Sequence, residues 1–252
     1  MPSETDILFI SAPVNALVEG IFQAETTIGD IHRHGDFALG TFNQLDGEMV
    51  MVDGLTYQVS GNGEVRPVSD DVRSPFAIAT FFHELSRDEL GSGFGSSEDL
   101  FAKLQDLLPS PNVMYALRIE GLFSFVRTRS VPRQENYRPL VEITRNQPTF
   151  ERTDVRGSLI GFHTPTFMSS LNVPGIHLHF LSDDRSFGGH LLQCRALHAT
   201  VRVQILRKLR MDLPTSLAYL TMDFSRDTAG DLEKAEKEQS PVNTPKNGGG
   251  AR

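Results

Sequence analysis

The stretch GIHLHFLSDDRSFGGHLL, residues 175–192, carries three of the chain's eight histidines, His177, His179 and His190. Ser182 to Ser186 are turn formers, so the stretch reads as two strands, 175–180 and 189–197, joined by a tight loop. Residues two apart on a strand point to the same side, so His177 and His179 project together. A loop centred between Asp184 and Arg185 sets His179 directly opposite His190, with Cβ atoms about 4.5–5.5 Å apart. Imidazoles placed this way can share one ion through bonds of about 2.0–2.1 Å. A register slip of one residue would turn His190 to the other face and destroy the site. Three imidazoles without a thiolate suit zinc or another borderline divalent ion, and they leave coordination positions open, as a catalytic centre requires.

Working outward, frequent glycine and proline predict mostly strands and turns with a few helices. Upstream, residues 37–42, 47–52, 55–59 and 64–67 form a meander joined by Leu-Asp-Gly, Val-Asp-Gly and Gly-Asn-Gly, and Asx–Gly pairs supply the positive φ of tight hairpins. Residues 77–85 read as a further strand, and 113–119, 122–128, 157–162 and 199–206 as companions of the histidine hairpin. Apolar spacing predicts an amphipathic helix over 12–28, a short helix over 27–34 stopped by Gly35, and a third over 97–108. Beyond Thr228 the chain turns polar, with a helix expected over 231–238 and a disordered tail over 239–252. Two subdomains with shared packing follow, 1–110 and 111–238, the second carrying the histidines.

The 252 residues carry a formal net charge of −8, which disfavours non-specific binding to nucleic acid or to an anionic membrane surface. One cysteine, Cys194, excludes an intrachain disulfide framework and any Cys-based zinc or iron–sulfur site, and it reads as a buried packing thiol. No run approaches the roughly 18 apolar residues of a membrane span. The acidic N-terminus is unlike a secretory signal, so a soluble cytoplasmic protein is expected. His32 and His34 read as ordinary polar positions, and His83, His163 and His198 as packing or surface residues.

The ordered set of segments resembles the acetolactate decarboxylase family. It is carried by TIGDIHRHGDFALGTFNQLDGEMVMVDG (27–54), RSPFAIATFF (73–82), VRTRSVP (126–132), LVEITRNQPTF (140–150) and GSLIGFHTPTFMSSLNVPGIHLHFLSDDRSFGGHLL (157–192), and spans about 17–238. The resemblance implies an α/β fold of the α+β type, with a mixed N-terminal sheet, an antiparallel C-terminal sheet and a few helices. It also implies a homodimer, one zinc ion per chain, and conversion of 2-acetolactate to (R)-acetoin and carbon dioxide. The family's ligands fall on His177, His179 and His190, and its active-site glutamate on Glu48. Its arginine falls on Arg129, with Arg127 as the second choice, and a further glutamate from the C-terminal helix on Glu236, with Glu233 second. Taken alone, Glu48 reads as a solvated turn carboxylate, Arg129 as one of a surface cluster, and Glu236 as part of a solvent-facing EKAEKE helix.

The chemistry explains why such residues belong together. 2-Acetolactate is a β-keto acid with a tertiary hydroxyl beside the ketone, and loss of carbon dioxide leaves an electron pair that the ketone must accept. Zinc chelating the hydroxyl and ketone oxygens stabilises that enediolate by Lewis acidity. Arg129 is expected to orient the carboxylate, Glu48 to take the hydroxyl proton, and Glu236 to steer protonation. The His-x-His spacing is also similar to cupins, although Asp183 and Asp184 stand where those proteins place a ligand glutamate. The alternative is therefore a cupin-like metal-binding protein whose three-histidine site is structural or non-catalytic.

Overall fold

A computed structural model describes residues 5–135, 139–143, 147–228 and 230–232. Its strands are β1 (Ile7–Ile10), β2 (Phe37–Thr41), β3 (Glu48–Val52), β4 (Leu55–Val59), β5 (Val65–Pro67), β6 (Ala77–Thr80), β7 (Ser86–Leu90), β8 (Met114–Arg129), β9 (Thr149–Thr164), β10 (Gly175–Ser182), β11 (Gly188–Leu206) and β12 (Lys208–Met211). The helices are α1 (Val14–Val18), α2 (Ile28–His32), α3 (Ser97–Leu107), α4 (Leu140–Ile143) and α5 (Leu217–Thr221).

The first sheet runs β12-β1-β6-β2-β3-β4-β5 and is mixed, because β12 lies parallel to β1 while its other pairs are antiparallel. The second runs β10-β9-β8-β11-β7 and is antiparallel throughout. Strand β10 also pairs with β11, so this sheet folds back on itself at the histidine hairpin. The α+β expectation of a mixed and an antiparallel sheet with few helices is met. The sheets exchange strands across the chain: β7 joins the second sheet and β12 returns to the first.

One apolar core lies between the sheets, where Leu8, Ile10, Leu39, Val50 and Ile78 meet Ala116, Ile160, Phe162 and Leu206. Each fully buried side chain of this size contributes about 1.5–3 kcal/mol. A second core fills the far face of the second sheet, where Leu100 and Leu104 of α3 pack with Phe123, Leu178 and Phe180. Ser96 caps α3 by accepting the Asp99 amide at 3.1 Å. Thr27 and Asp30 form a capping box on α2, whose Ile28 and Ile31 enter a third core behind the first sheet.

Several elements differ from the sequence reading. The helix expected over 12–28 is only the five residues of α1. Gly20, at φ +87°, ends it with two backbone bonds, Gly20 N–H to Leu17 and Ile21 N–H to Ala16, a Schellman stop. Ile21 and Phe22 remain buried without helix, so their spacing misled. The 77–85 strand ends at Thr80, after which the chain crosses to the second sheet as β7. The pairs expected at 113–128 and 189–206 are single long strands, β8 and β11, with irregularities near Leu191, Arg195 and Ala196 absorbing what looked like breaks. Strands β1 and β12 were not anticipated.

Candidate metal centre and its cavity

The hairpin register is the one the sequence demanded: His179 pairs with His190, Phe180 with Gly189 and Leu181 with Gly188. The loop is pinned by Ser182, whose hydroxyl accepts the Ser186 and Phe187 amides at 3.2 and 3.0 Å. His177, His179 and His190 are thereby brought together, with one ligand nitrogen from each lying within 4.8 Å of the others. His177 Nε2 is 3.0 Å from His190 Nδ1.

The first sheet completes the arrangement from the opposite side. His179 Nδ1–H donates to the Met49 carbonyl at 2.8 Å, a bond that fixes the tautomer and leaves the Nε2 lone pair facing inward. Burial, aided by the Arg129 charge, lowers the His177 pKa to about 3, which keeps that imidazole neutral. Imidazole nitrogens converging in a buried spot, one oriented by a backbone carbonyl, are the donor set a borderline divalent cation takes. The residues present fit a metal ion. Among the described residues, these three histidines are the group so placed.

Glu48 is buried, and its Oε2 lies 3.5 Å from His179 Nε2. It is launched by Gly47 at φ +84°, where a Cβ would meet the Val59 carbonyl oxygen at 2.2 Å, so only glycine serves there. Thr41, paired with Glu48 across β2 and β3, donates its hydroxyl to the Gly47 carbonyl at 2.7 Å and steadies the turn. Arg129 is buried at the end of β8, directly across from His190. Arg127, two residues earlier, instead lies 3.5 Å from Glu151 in a half-exposed ion pair.

Glu48, Arg129, His177 and His190 line one cavity of about 60 Å³, with Thr41 and Gln147 adding polar groups. Its apolar wall includes Leu17 of α1, Leu45, Phe76, Leu140 of α4, Val173 and Leu232. His179, 1 % exposed, stands behind the other two histidines. Glu236 and Glu233, like most of the expected 231–238 helix and the 239–252 tail, lie outside the described residues; its first turn, 230–232, is helical.

Thr41, Gln147 and the Met49 carbonyl were not singled out from sequence. The cross-strand rule that paired the histidines also pairs Thr41 with Glu48, but only once the β2–β3 register is known. Gln147 lies before β9 in no periodic pattern, and nothing local marks it. Three of the remaining five histidines have other partners: His32 bonds Asp70 and Thr56, His34 stacks on Phe9, and His163 reaches the Val113 carbonyl. Asp184 accepts from Ser182 and Ser186 within the loop, so this acid serves the turn, as a cupin-like ligand would not.

The sequence profile described as Alpha-acetolactate decarboxylase matches residues 8–226. A protein of that name from Methanosarcina mazei is 39 % identical over 236 residues, covering 92 % of this chain and 81 % of its own. One from Methylococcus capsulatus is 37 % identical over 91 % of this chain and 88 % of its own. The crystal structure of alpha-acetolactate decarboxylase from Bacillus subtilis strain 168 superposes with a TM-score of 0.89 at 33 % identity, covering 92 % of this chain and all of that one.

Proposed function

The chain belongs to the alpha-acetolactate decarboxylase family and is a carboxy-lyase, and from that premise we propose that it converts 2-acetolactate to (R)-acetoin and carbon dioxide with one zinc ion per chain. The observation that carries this reading is the convergence of three imidazoles, two of them lining one cavity together with one carboxylate and one guanidinium.

His177, His179 and His190 hold the ion, with the Met49 carbonyl fixing the orientation of the second. When bound, the divalent ion supplies Lewis acidity, the electron sink that β-keto acid decarboxylation needs. Arg129 binds the substrate carboxylate in a bidentate pose and keeps it aligned for departure as carbon dioxide. Glu48 hydrogen-bonds the tertiary hydroxyl and takes its proton on a carboxylate oxygen. The wall from Leu17 to Leu232 receives the two methyl groups and excludes water that would compete for protonation. Glu236 serves as a second carboxylate and directs the proton to one face of the enediolate. The reading includes a cytoplasmic homodimer acting on a small molecule, with neither nucleic acid nor membrane as partner. Among the described residues no helix is long and apolar enough to cross a membrane.

The test is acetoin release from racemic 2-acetolactate with and without a chelator, alongside metal content. The expected result is about one zinc per chain and activity that disappears on chelation and returns with zinc. Full turnover by metal-free protein would overturn the mechanism.

A further inference from the structure

Gln147 and Pro148 stand immediately before β9. A residue ahead of proline is biased to extended backbone, which suits a prolonged strand ladder. Past the last β8–β9 pair, Arg129 with Thr149, the Ser130 N–H donates to the Pro148 carbonyl at 3.3 Å. Ser130 is buried, and its hydroxyl donates to the Val59 carbonyl at 2.6 Å, which ties this corner to the first sheet. The register, continued to the next residues, sets Gln147 opposite Val131 and makes it the diagonal neighbour of Arg129. Diagonal neighbours share a face at about 7–8 Å, a span that long side chains cross. Arg129, Val131 and Gln147 all line the cavity.

Gln58 and Gln204 show how an amide that serves the fold is held. Gln58 donates to the Asp46 carbonyl and accepts from Arg66. Gln204 donates to the Phe81 carbonyl and accepts the His83 amide, both at 3.0 Å. Both ends of each side chain are used. Gln147 differs: its Oε1 is buried and has no hydrogen-bond partner among the described residues. Leaving a buried polar atom unpaired costs stability, which a side chain kept only for packing would avoid.

We propose that Gln147 is a substrate-binding residue, its side-chain amide donating a hydrogen bond to the substrate carboxylate beside Arg129. The inference rests on the decarboxylase reading above and adds a second donor to its carboxylate site. A carboxylate offers about four acceptor positions, and a bidentate guanidinium fills two of them. Turning the amide about its last bond exchanges Oε1 and Nε2 within the same shape, so an N–H takes the oxygen's place when an acceptor arrives. A neutral donor also suits a group that departs uncharged. The contact weakens as charge leaves the carboxylate, and an amide gives up less in that step than a second guanidinium would.

The test compares the metal-loaded full chain with Q147M, which keeps the side chain's length and removes its polar end. KM for 2-acetolactate is expected to rise about 10- to 100-fold, the scale of a hydrogen bond to a charged group, with kcat nearly unchanged. Two unreactive ligands isolate the carboxylate. Inhibition by 2-hydroxy-2-methylpropanoate, which bears one, should weaken by the same factor, whereas acetoin, which has none, should inhibit both proteins alike. Q147E, of the same shape, sets a second carboxylate against the substrate's and should raise KM above that of Q147M. An unchanged KM in Q147M, an equal loss of both inhibitors, or loss of its metal would overturn the assignment. The decarboxylase reading would still stand, because wild type releases acetoin. A wild type that releases none would remove that reading and the inference with it.

Discussion

Along β10, His177, Leu178, His179 and Phe180 alternate between two worlds. The histidines face the first sheet, where they meet Glu48 and Met49, with Arg129 reaching them from β8 of their own sheet; Leu178 and Phe180 face α3, inside an apolar core. The pleat makes neighbours in sequence into strangers in space. One face spends burial on holding polar groups in a single arrangement, and the other gains stability from the same burial. A substitution on the first face should therefore change chemistry at little cost in folding, and one on the second should do the reverse.

The largest effect expected is His179→Ala, which removes the most buried of the three imidazoles. Metal analysis should find the site empty and turnover should fall to background, with the fold kept. Next comes Glu48→Gln, which should retain the metal yet lower turnover by about 10²–10⁴, the scale of a lost acid–base group. Unchanged kinetics would separate Glu48 from the chemistry. Ending the chain after Asp231 should also cripple turnover, whereas ending it before Gln239 should not. Equal rates from the two truncations would show that Glu236 takes no part.

On the opposite face, Phe180→Ala should cost about 3–5 kcal/mol in denaturant unfolding while the folded fraction keeps its metal and its rate. A matching loss of metal affinity would break the separation of the two faces. The mildest test concerns Cys194 on the α3 side. Its backbone N–H donates to the Ser97 hydroxyl at 2.8 Å, and burial pushes its thiol pKa up to about 12. Native protein at pH 8 should therefore resist a thiol reagent until it is unfolded. Because the unfolded thiol ionises near 9.0 and the folded one near 12, this group's contribution to stability is lost as pH rises through that window.

Legibility in the sequence followed the range of the interaction. The β2–β5 meander was readable because each turn carries its own Asx–Gly signal, and the histidine register because one short loop joins the two strands. The helix over 12–28 was overread because Ile21 and Phe22 are buried by tertiary packing and not by helical repetition. Strand β12 is not legible because the alternation of Lys-Leu-Arg-Met lasts only four residues on an exposed edge, held by a partner about two hundred residues away. Arg129 and Arg127 were indistinguishable within Val-Arg-Thr-Arg. Being two apart on one strand, they share a face, and only the end of β8, where the second sheet folds back, puts Arg129 beside the cavity and leaves Arg127 to Glu151.

By itself the sequence determined which three imidazoles can meet, since a short loop centred between Asp184 and Arg185 and the two-residue strand repeat set them on one face. It could not determine what they meet. Glu48 and the Met49 carbonyl arrive from a different sheet, about 130 residues upstream. Their approach was decided by the apolar surface that both sheets bury against each other, a force without direction or sequence signature that acts only once the chain is folded.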